Sequence, residues 1–162
     1  MVKKSLNGLI SLLTDAENVP AEVWRSLLML GVDERKEIAL LARKVTENNF
    51  GKGVFVRALI EISSYCRNNC HYCGLRASNK EAVRYRLTKE QILGCCGRGA
   101  SLGFNTFVLQ GGEDPLQTDE WLADVVKSIK EYYPEKAVTI SVGERSEYGY
   151  AMLRSAGADR YL

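Results

Sequence analysis

The fold is decided by the stretch at residues 54–73, VFVRALIEISSYCRNNCHYC. Its first half alternates with a period of two and is rich in β-branched residues, which predicts a strand that ends near Ser63. Its second half spaces Cys66, Cys70 and Cys73 as C-x3-C-x2-C. The sequence therefore predicts a strand that leads directly into a loop carrying three thiols.

Strands and helices alternate along the rest of the chain. Helices are predicted at residues 88–103, 118–134 and 146–156, and further strands at residues 106–110, 138–142 and, just beginning, 159–162. Thr88 and Gln91 are placed to form a capping box at the start of the first of these helices. Three successive strand and helix pairs favour right-handed crossovers and a parallel sheet. The predicted fold class is therefore α/β.

Each predicted strand has one apolar face and one mixed face. The mixed faces carry Arg57, Leu59, Glu61 and Ser63, then Thr106, Val108 and Gln110, then Thr139 and Ser141. Strands covered by helices on both sides would be apolar on both faces. The pattern suits a curved barrel with a ligand-holding lumen, and an ordinary open sheet with a few buried polar residues is the alternative.

The chain is predicted to have two parts. Residues 1–50 contain three amphipathic helical patterns, the last of them with Asp33 as its N-cap, and form a helical preamble to residues 51–162. The first pattern, at residues 1–13, is too broken by polar residues to be a signal peptide. A length of 162 residues is short for a closed α/β barrel, which typically needs about 250.

Composition narrows the class of protein. The chain is 46% hydrophobic and 26% charged with a net charge of +2, which is typical of a soluble globular protein. It has neither the basic excess expected of a nucleic-acid binder nor the run of about 18 apolar residues that a membrane-spanning helix needs. Three of its five cysteines are crowded into one loop, which is poor geometry for disulfides and indicates a reducing cytoplasm.

Three thiolates on one loop can bind a single metal centre. A cubane iron-sulfur cluster takes one thiolate per iron, so three cysteines leave one iron open for an exchangeable ligand. Structural zinc would need a fourth protein ligand, for which His71, Cys95 and Cys96 are the nearby candidates. Cys95 and Cys96 lie inside a predicted helix. The simpler interpretation is that they are small helix residues that face the core or a groove.

The cysteine triplet, with an aromatic residue before its third cysteine, resembles the signature of the radical S-adenosylmethionine (SAM) superfamily. Longer stretches of the sequence resemble one of its families, the iron-iron hydrogenase maturases HydE, which are related to biotin synthase. The likeness runs from about residue 50 to residue 162 and includes LIEISSYCRNNCHYCGLRASN, RYRLTKEQIL, GFNTFVLQGGEDP, TISVGERS and AGADRYL.

This resemblance implies a fold and two cofactors. The fold would be the N-terminal half of a TIM-type parallel β/α barrel, incomplete in this chain. Cys66, Cys70 and Cys73 would bind three irons of a 4Fe-4S cluster, and SAM would chelate the fourth. One electron would then cleave SAM to methionine and a 5'-deoxyadenosyl radical, with no catalytic residues beyond the cluster ligands.

The resemblance also implies which residues bind SAM. Gly111, Gly112 and Glu113 would receive the amino group of its methionine part, and Tyr72 would lie near its adenine. The remaining candidates, which would line the lumen or its rim, are Gln110, Ser141 and Glu144. The basic side chains between residues 67 and 89 are interpreted as a solvated face, as an offset to the charge of the cluster, or as a docking site for an acidic electron donor.

The expected activity is that of a HydE-like radical SAM enzyme in iron-iron hydrogenase cofactor maturation. The expected partners are a small-molecule or organometallic substrate, an electron donor such as ferredoxin or flavodoxin, and other hydrogenase maturases, with no nucleic acid or membrane. Methylornithine synthase and biotin synthase-like enzymes are the alternatives of the same class. A noncatalytic zinc-binding or interaction module is the alternative of another class.

Overall fold

The structure is a computed structural model that describes residues 8, 10, 11 and 19–162. Most of the helix predicted at residues 1–13 lies outside the described residues. The chain divides into two compact units, Met1–Val54 and Phe55–Leu162. The boundary predicted after residue 50 stays a prediction.

The described part of the first unit is mostly helical. It contains α1, Ala21–Leu28, and α2, Val32–Phe50. The N-cap of α2 is Gly31 and not Asp33, so that prediction was wrong. Glu34 accepts a hydrogen bond of 2.9 Å from the Gly31 N–H, which leaves Asp33 in the first turn, where its charge favours the helix dipole.

The second unit is a four-stranded parallel sheet with strand order β1-β2-β3-β4. Its elements are β1 (Ala58–Ser63), α3 (Lys89–Ser101), β2 (Thr106–Gly111), α4 (Asp119–Tyr132), β3 (Ala137–Ser141), α5 (Glu147–Ser155) and β4 (Arg160–Tyr161). Adjacent strands are consecutive in the chain, and a helix connects each pair. The α/β fold class predicted from sequence is confirmed.

Side-chain caps fix the starts of the three helices. Thr88 Oγ1 accepts from Gln91 N over 3.3 Å, and Gln91 Oε1 accepts from Thr88 N over 2.9 Å, which confirms the capping box. The Thr118 and Ser146 side chains cap α4 and α5 by accepting from Trp121 N and Gly149 N. The caps thus define the residue at which each of the three helices begins.

The core lies between the helices and the apolar face of the sheet. Its fully buried strand residues include Ile62, Phe107, Leu109, Val138 and Ile140. They pack in one cluster with Ile92, Leu122, Val125, Val126, Ile129 and Leu153 from the helices. About 25 cal/mol per Å² of buried apolar surface makes this layer the main source of stability.

The opposite face of the sheet is more open. Leu59 is 54% exposed, and Glu61 and Gln110 are exposed as well. Val108 and Thr139 on this face are buried, so the face is not uniformly accessible. The strand register places Glu61, Gln110 and Ser141 side by side across three strands, near their carboxyl ends. No helix in the described part of the chain is long and apolar enough to cross a membrane.

Candidate active site

The segments predicted to carry the site meet at the carboxyl edge of the sheet. The loop after β1, residues 64–85, holds the three cysteines and is called the cysteine loop. The turn after β2 follows Gly111, the last residue of that strand, and the turn after β3 contains Gly143 and Glu144. A Cβ added at Gly112 would lie 2.5 Å from Cys66 Cβ, so only glycine lets these two segments approach so closely.

Backbone hydrogen bonds shape the part of the loop that carries the cysteines. Cys73 N donates to Cys70 O over 3.0 Å, and Arg76 N donates to Cys73 O over 3.3 Å. Ala77 N donates to Asn68 O over 2.8 Å and closes the segment. The cysteines therefore lie on consecutive turns, which are joined by backbone hydrogen bonds within the loop.

One arginine side chain holds the rest of the cysteine loop. The Arg84 guanidinium donates to Leu75 O and Arg76 O over 2.8 Å each and to Asn79 O over 3.2 Å, and it also bonds to Ser64 O. Arg84 was predicted as part of a basic face. It lies instead at the centre of the loop, where its Nη1 and Nη2 groups donate to four backbone carbonyls.

The three thiols are unpaired and reachable. All are free, with Cys70 exposed and Cys66 and Cys73 half-buried. Among the described residues, no group of three or more Cys, His, Asp or Glu side chains lies close enough together to hold a metal ion. Binding of a metal centre would therefore draw the three thiols together within their loop.

The donor set fits an iron-sulfur cluster better than zinc. Three soft thiolates suit a cluster with one iron left open. Of the candidates for a fourth zinc ligand, Cys96 is fully buried in the core, and burial raises the pKa of its thiol to about 12. His71 and Cys95 are exposed, and neither joins a metal-binding group with the loop in the described structure.

The carboxylate of Glu113 is held by the start of the cysteine loop. Arg67 donates to Oε2 from Nε and Nη2 over 2.8 Å each, and Asn68 Nδ2 donates to Oε1 over 2.8 Å. Burial raises the pKa of Glu113, but bonds from Arg67, Asn68 and the Glu144 backbone outweigh it, so the pKa lies below its ordinary value. Glu113 therefore stays ionised and couples all three segments.

A second acidic residue at this edge was missed by the sequence reasoning. Asp114 is 2% exposed and accepts from Ser63 Oγ and Arg86 Nε over 2.6 Å each, with a further bond of 2.9 Å from Arg86 Nη2. Burial raises the pKa of Asp114, but the bonds from Arg86, Ser63 and Leu116 N lower it below its ordinary value. Its signal was the acidic pair that follows the glycines, in GGED.

The other predicted site residues lie around this edge, and most of them are exposed to solvent. Gln110 and Glu144 are exposed, Ser141 is half-buried, and Gln110 is in register with Ser141. Tyr72 is 93% exposed, so the structure does not pack its ring against the strand ends. The rim is thus formed by three strands, whereas Tyr72 stands apart on the loop.

A cleft of about 360 Å³ opens beside Glu113. Its lining includes Arg67, Glu113, Asp119, Glu120, Glu144 and Arg145. Arg145 Nη1 donates to Gln117 O over 2.9 Å and to Asp119 over 3.2 Å, which joins the start of α4 to the turn after β3. The cleft is lined mainly by polar and charged side chains.

A four-stranded parallel β/α sheet, with a three-cysteine loop against a glycine-acid turn at its carboxyl edge, is the arrangement expected of a β/α enzyme that binds a metal cluster. The comparisons with known proteins identify the family within that class. No family model matches the chain. The [FeFe] hydrogenase maturase subunit HydE of Thermotoga maritima is 44% identical over 122 residues, which are 75% of this chain and 34% of that protein.

Other relatives agree on the superfamily. The 3-methylornithine synthase of Methanosarcina acetivorans is 33% identical over 82% of this chain and 34% of its own length. Among solved structures, methylornithine synthase (PylB) matches with a TM-score of 0.84 at 29% identity, over 97% of this chain and 46% of that one. HydG, a maturase of the [FeFe]-hydrogenase, matches with a TM-score of 0.83 at 25% identity, over 98% of this chain and 37% of that one.

The chain belongs to the radical SAM superfamily. Its relatives there are enzymes that use a 4Fe-4S cluster and SAM. The four strands correspond to part of a radical SAM barrel, because the chain spans between a third and a half of the relatives it matches. The resemblance stated from the cysteine loop is confirmed.

Proposed function

We propose that the chain is part of a radical SAM enzyme with a HydE-like role in iron-iron hydrogenase cofactor maturation. The observation that carries the proposal is the direct approach of Gly112 to Cys66. It places the cysteine loop beside the glycine-acid turn, so that a cluster and a ligand of that turn would be neighbours.

In this proposal Cys66, Cys70 and Cys73 hold the 4Fe-4S cluster. Their thiols are free. The loop that carries them is held by hydrogen bonds within it, including those that Arg84 donates. When bound, the cluster and SAM supply a one-electron reductive cleavage that yields methionine and a 5'-deoxyadenosyl radical. The part of the protein is to hold these groups in place.

The SAM site is proposed at the turn after β2 and along the adjoining rim. Gly111 and Gly112 offer backbone carbonyls, and Glu113 adds a carboxylate that complements an ammonium group. The further contacts proposed for SAM are Gln110, Ser141, Glu144 and Tyr72. Because Glu113 already binds Arg67 and Asn68, it would receive an amine in addition to these partners.

The HydE-like role is supported by 44% identity to the Thermotoga maritima protein over 122 residues of the chain. The proposed substrate is a small molecule or an organometallic species, and the proposed partners are ferredoxin or flavodoxin as electron donor and other hydrogenase maturases. Methylornithine synthase remains the second candidate, because the solved enzyme covers 97% of this chain with a TM-score of 0.84.

The test is anaerobic reconstitution of the chain with iron and sulfide, followed by electron paramagnetic resonance of the reduced protein with and without SAM. We expect a reduced 4Fe-4S signal whose shape changes when SAM is added. Replacing all three loop cysteines with alanine should abolish iron uptake, whereas replacing Cys95 with alanine is the matched control and should leave it unchanged.

Two outcomes would contradict the proposal. A colourless protein with about one zinc per chain would instead support the noncatalytic zinc module. A cluster that forms but ignores SAM would remove the proposed SAM site from this chain. The HydE-like role has its own test, which is whether the full-length protein restores hydrogenase activity in cells that lack their HydE.

A further inference from the structure

Both ends of the cysteine loop meet at one buried carboxylate. Ser63, directly before the loop, and Arg86, directly after it, bond to Asp114 over 2.6 Å each and form a bridge with one another. The Asp114 side chain is fully buried, so water cannot replace these donors. Asp114 therefore holds together Ser63 and Arg86, which form the neck of the loop.

The constraint reaches Cys66 through two contacts. The Arg86 guanidinium lies 3.6 Å from the centroid of the Tyr65 ring, and Tyr65 directly precedes Cys66 in the chain. On the other side, Gly112 fits against Cys66 and Tyr65 O without room for a Cβ. Cys66 is thus held between a residue stacked on Arg86 and the glycine two positions before Asp114.

The adjacent acid completes the arrangement. Glu113 binds Arg67 and Asn68, which follow Cys66 in the chain. Asp114 binds the residues on either side of the loop. Glu113 therefore binds the loop itself, and Asp114 binds the two residues that flank it. Of these two carboxylates, only Asp114 is fully buried.

We propose that Asp114 is a positioning residue that sets the place of Cys66 against the Gly111–Glu113 turn. The proposal rests on the proposed function, in which Cys66 is a cluster ligand and the turn binds SAM. The Asp114 side chain acts through its bonds to Arg86 and Ser63. Its role is to preorganise the loop before any cluster is bound.

The test measures the reactivity of each thiol in the chain without metal. Asp114→Asn keeps the size of the side chain but removes the charge that Arg86 binds. Iodoacetamide labelling, with each cysteine quantified by mass spectrometry, should show Cys66 labelled about tenfold faster as the neck opens locally. Cys96 is buried in the core and reports global unfolding, so its labelling should stay slow.

Matched variants separate positioning from general stability. Asp159→Asn removes another carboxylate that pairs with a cation and a backbone N–H, but far along the chain from the loop, and should leave Cys66 unchanged. Arg86→Lys keeps the positive charge and loses the paired geometry, so it should repeat the selective rise even if Asp114→Asn fails to fold. Unchanged Cys66 labelling, or equal acceleration of Cys66 and Cys96, would overturn the positioning role.

A second readout keeps this inference apart from the proposed function. After reconstitution, the Asp114→Asn chain should retain iron but need about tenfold more SAM to change the spectrum of the reduced cluster. A SAM requirement equal to that of the wild type would overturn the positioning role. A wild-type chain that takes up no cluster would overturn the proposed function alone, and the labelling result would still decide the role of Asp114.

Discussion

Gly143 lies directly against the side chain of Glu113. A Cβ at Gly143 would fall 1.8 Å from Glu113 Cγ, and its φ of +85° is in the region that favours glycine. The Tyr161 hydroxyl also donates to Gly143 O. The fourth strand, the turn after β3 and the acidic turn after β2 are therefore coupled through one glycine.

Gly143→Ala should destabilise the chain and displace Glu113 together. The positive φ costs about 1–2 kcal/mol for an alanine, and the overlap with Glu113 adds about 1–3 kcal/mol. Urea unfolding measures the loss. The reconstituted variant should also show a weaker spectral response to SAM, because Glu113 can no longer keep its position.

Gly103→Ala is the control for this prediction. Gly103 has nearly the same φ, +84°, but no atom lies within 4 Å of the added Cβ. It should lose only the conformational part, about 1–2 kcal/mol, and keep the response to SAM. Equal losses in the two variants would contradict a specific role for the contact with Glu113.

Arg84→Ala should loosen the cysteine loop without unfolding the sheet. The substitution leaves four backbone carbonyls without their donor, at a cost of about 1–3 kcal/mol. Limited trypsin digestion should then cut severalfold faster after Arg76 and Lys80. Arg98→Ala, on the exposed side of α3, should leave the rate of those cuts unchanged, and equal rates in both variants would rule out Arg84 as the anchor of the loop.

Local patterns predicted the elements of this fold well. The capping box at Thr88, the end of β1 at Ser63 and the alternation of faces along β1 follow from neighbours in the chain. The start of β1 was less well defined. Residues 54–57 continue the alternation but find no partner strand, so β1 begins at Ala58.

The contacts that organise the site could not be read from sequence in the same way. Arg86 and Asp114 are 28 positions apart, and Arg84 and Arg86 look alike as members of one basic run. Their roles differ because the loop returns antiparallel to Ser63 and turns one side chain toward carbonyls and the other toward Asp114. The cysteines and glycines could be singled out from the sequence because their residue types carry the chemistry themselves.

Cys95 and Cys96 should differ sharply in reactivity although they are adjacent. Cys95 is exposed on α3, whereas Cys96 is fully buried and burial raises its pKa to about 12. Thiol alkylation at pH 8 should therefore label Cys95 readily and leave Cys96 untouched until urea unfolds the chain. Labelling of both at the same rate in the native protein would contradict the packing of α3 on the sheet.

Asp159 should make the stability of the chain depend on acid pH. Its carboxylate accepts from Val138 N over 2.7 Å and from Lys130 Nζ over 2.8 Å. Burial raises the pKa of Asp159, but the bonds from Lys130 and Val138 N and the charges of Lys130 and Arg160 lower it below its ordinary value of 3.8. The carboxylate is therefore easier to keep ionised in the folded than in the unfolded chain.

The sign of the effect follows from that direction. A lowered folded pKa contributes stability that is present above pH 3.8 and is lost as pH falls through the folded pKa.

Asp159→Asn should cost about 1 kcal/mol at pH 7, since the side chain is 38% exposed and partly screened, and the cost should shrink toward pH 2. Urea unfolding of both proteins from pH 2 to pH 7 measures the difference. Asp33→Asn, in a pair with a 94% exposed carboxylate, is the control and should cost less than Asp159→Asn at pH 7. A cost for Asp159→Asn that is independent of pH would mean that the pairing with Lys130 contributes nothing.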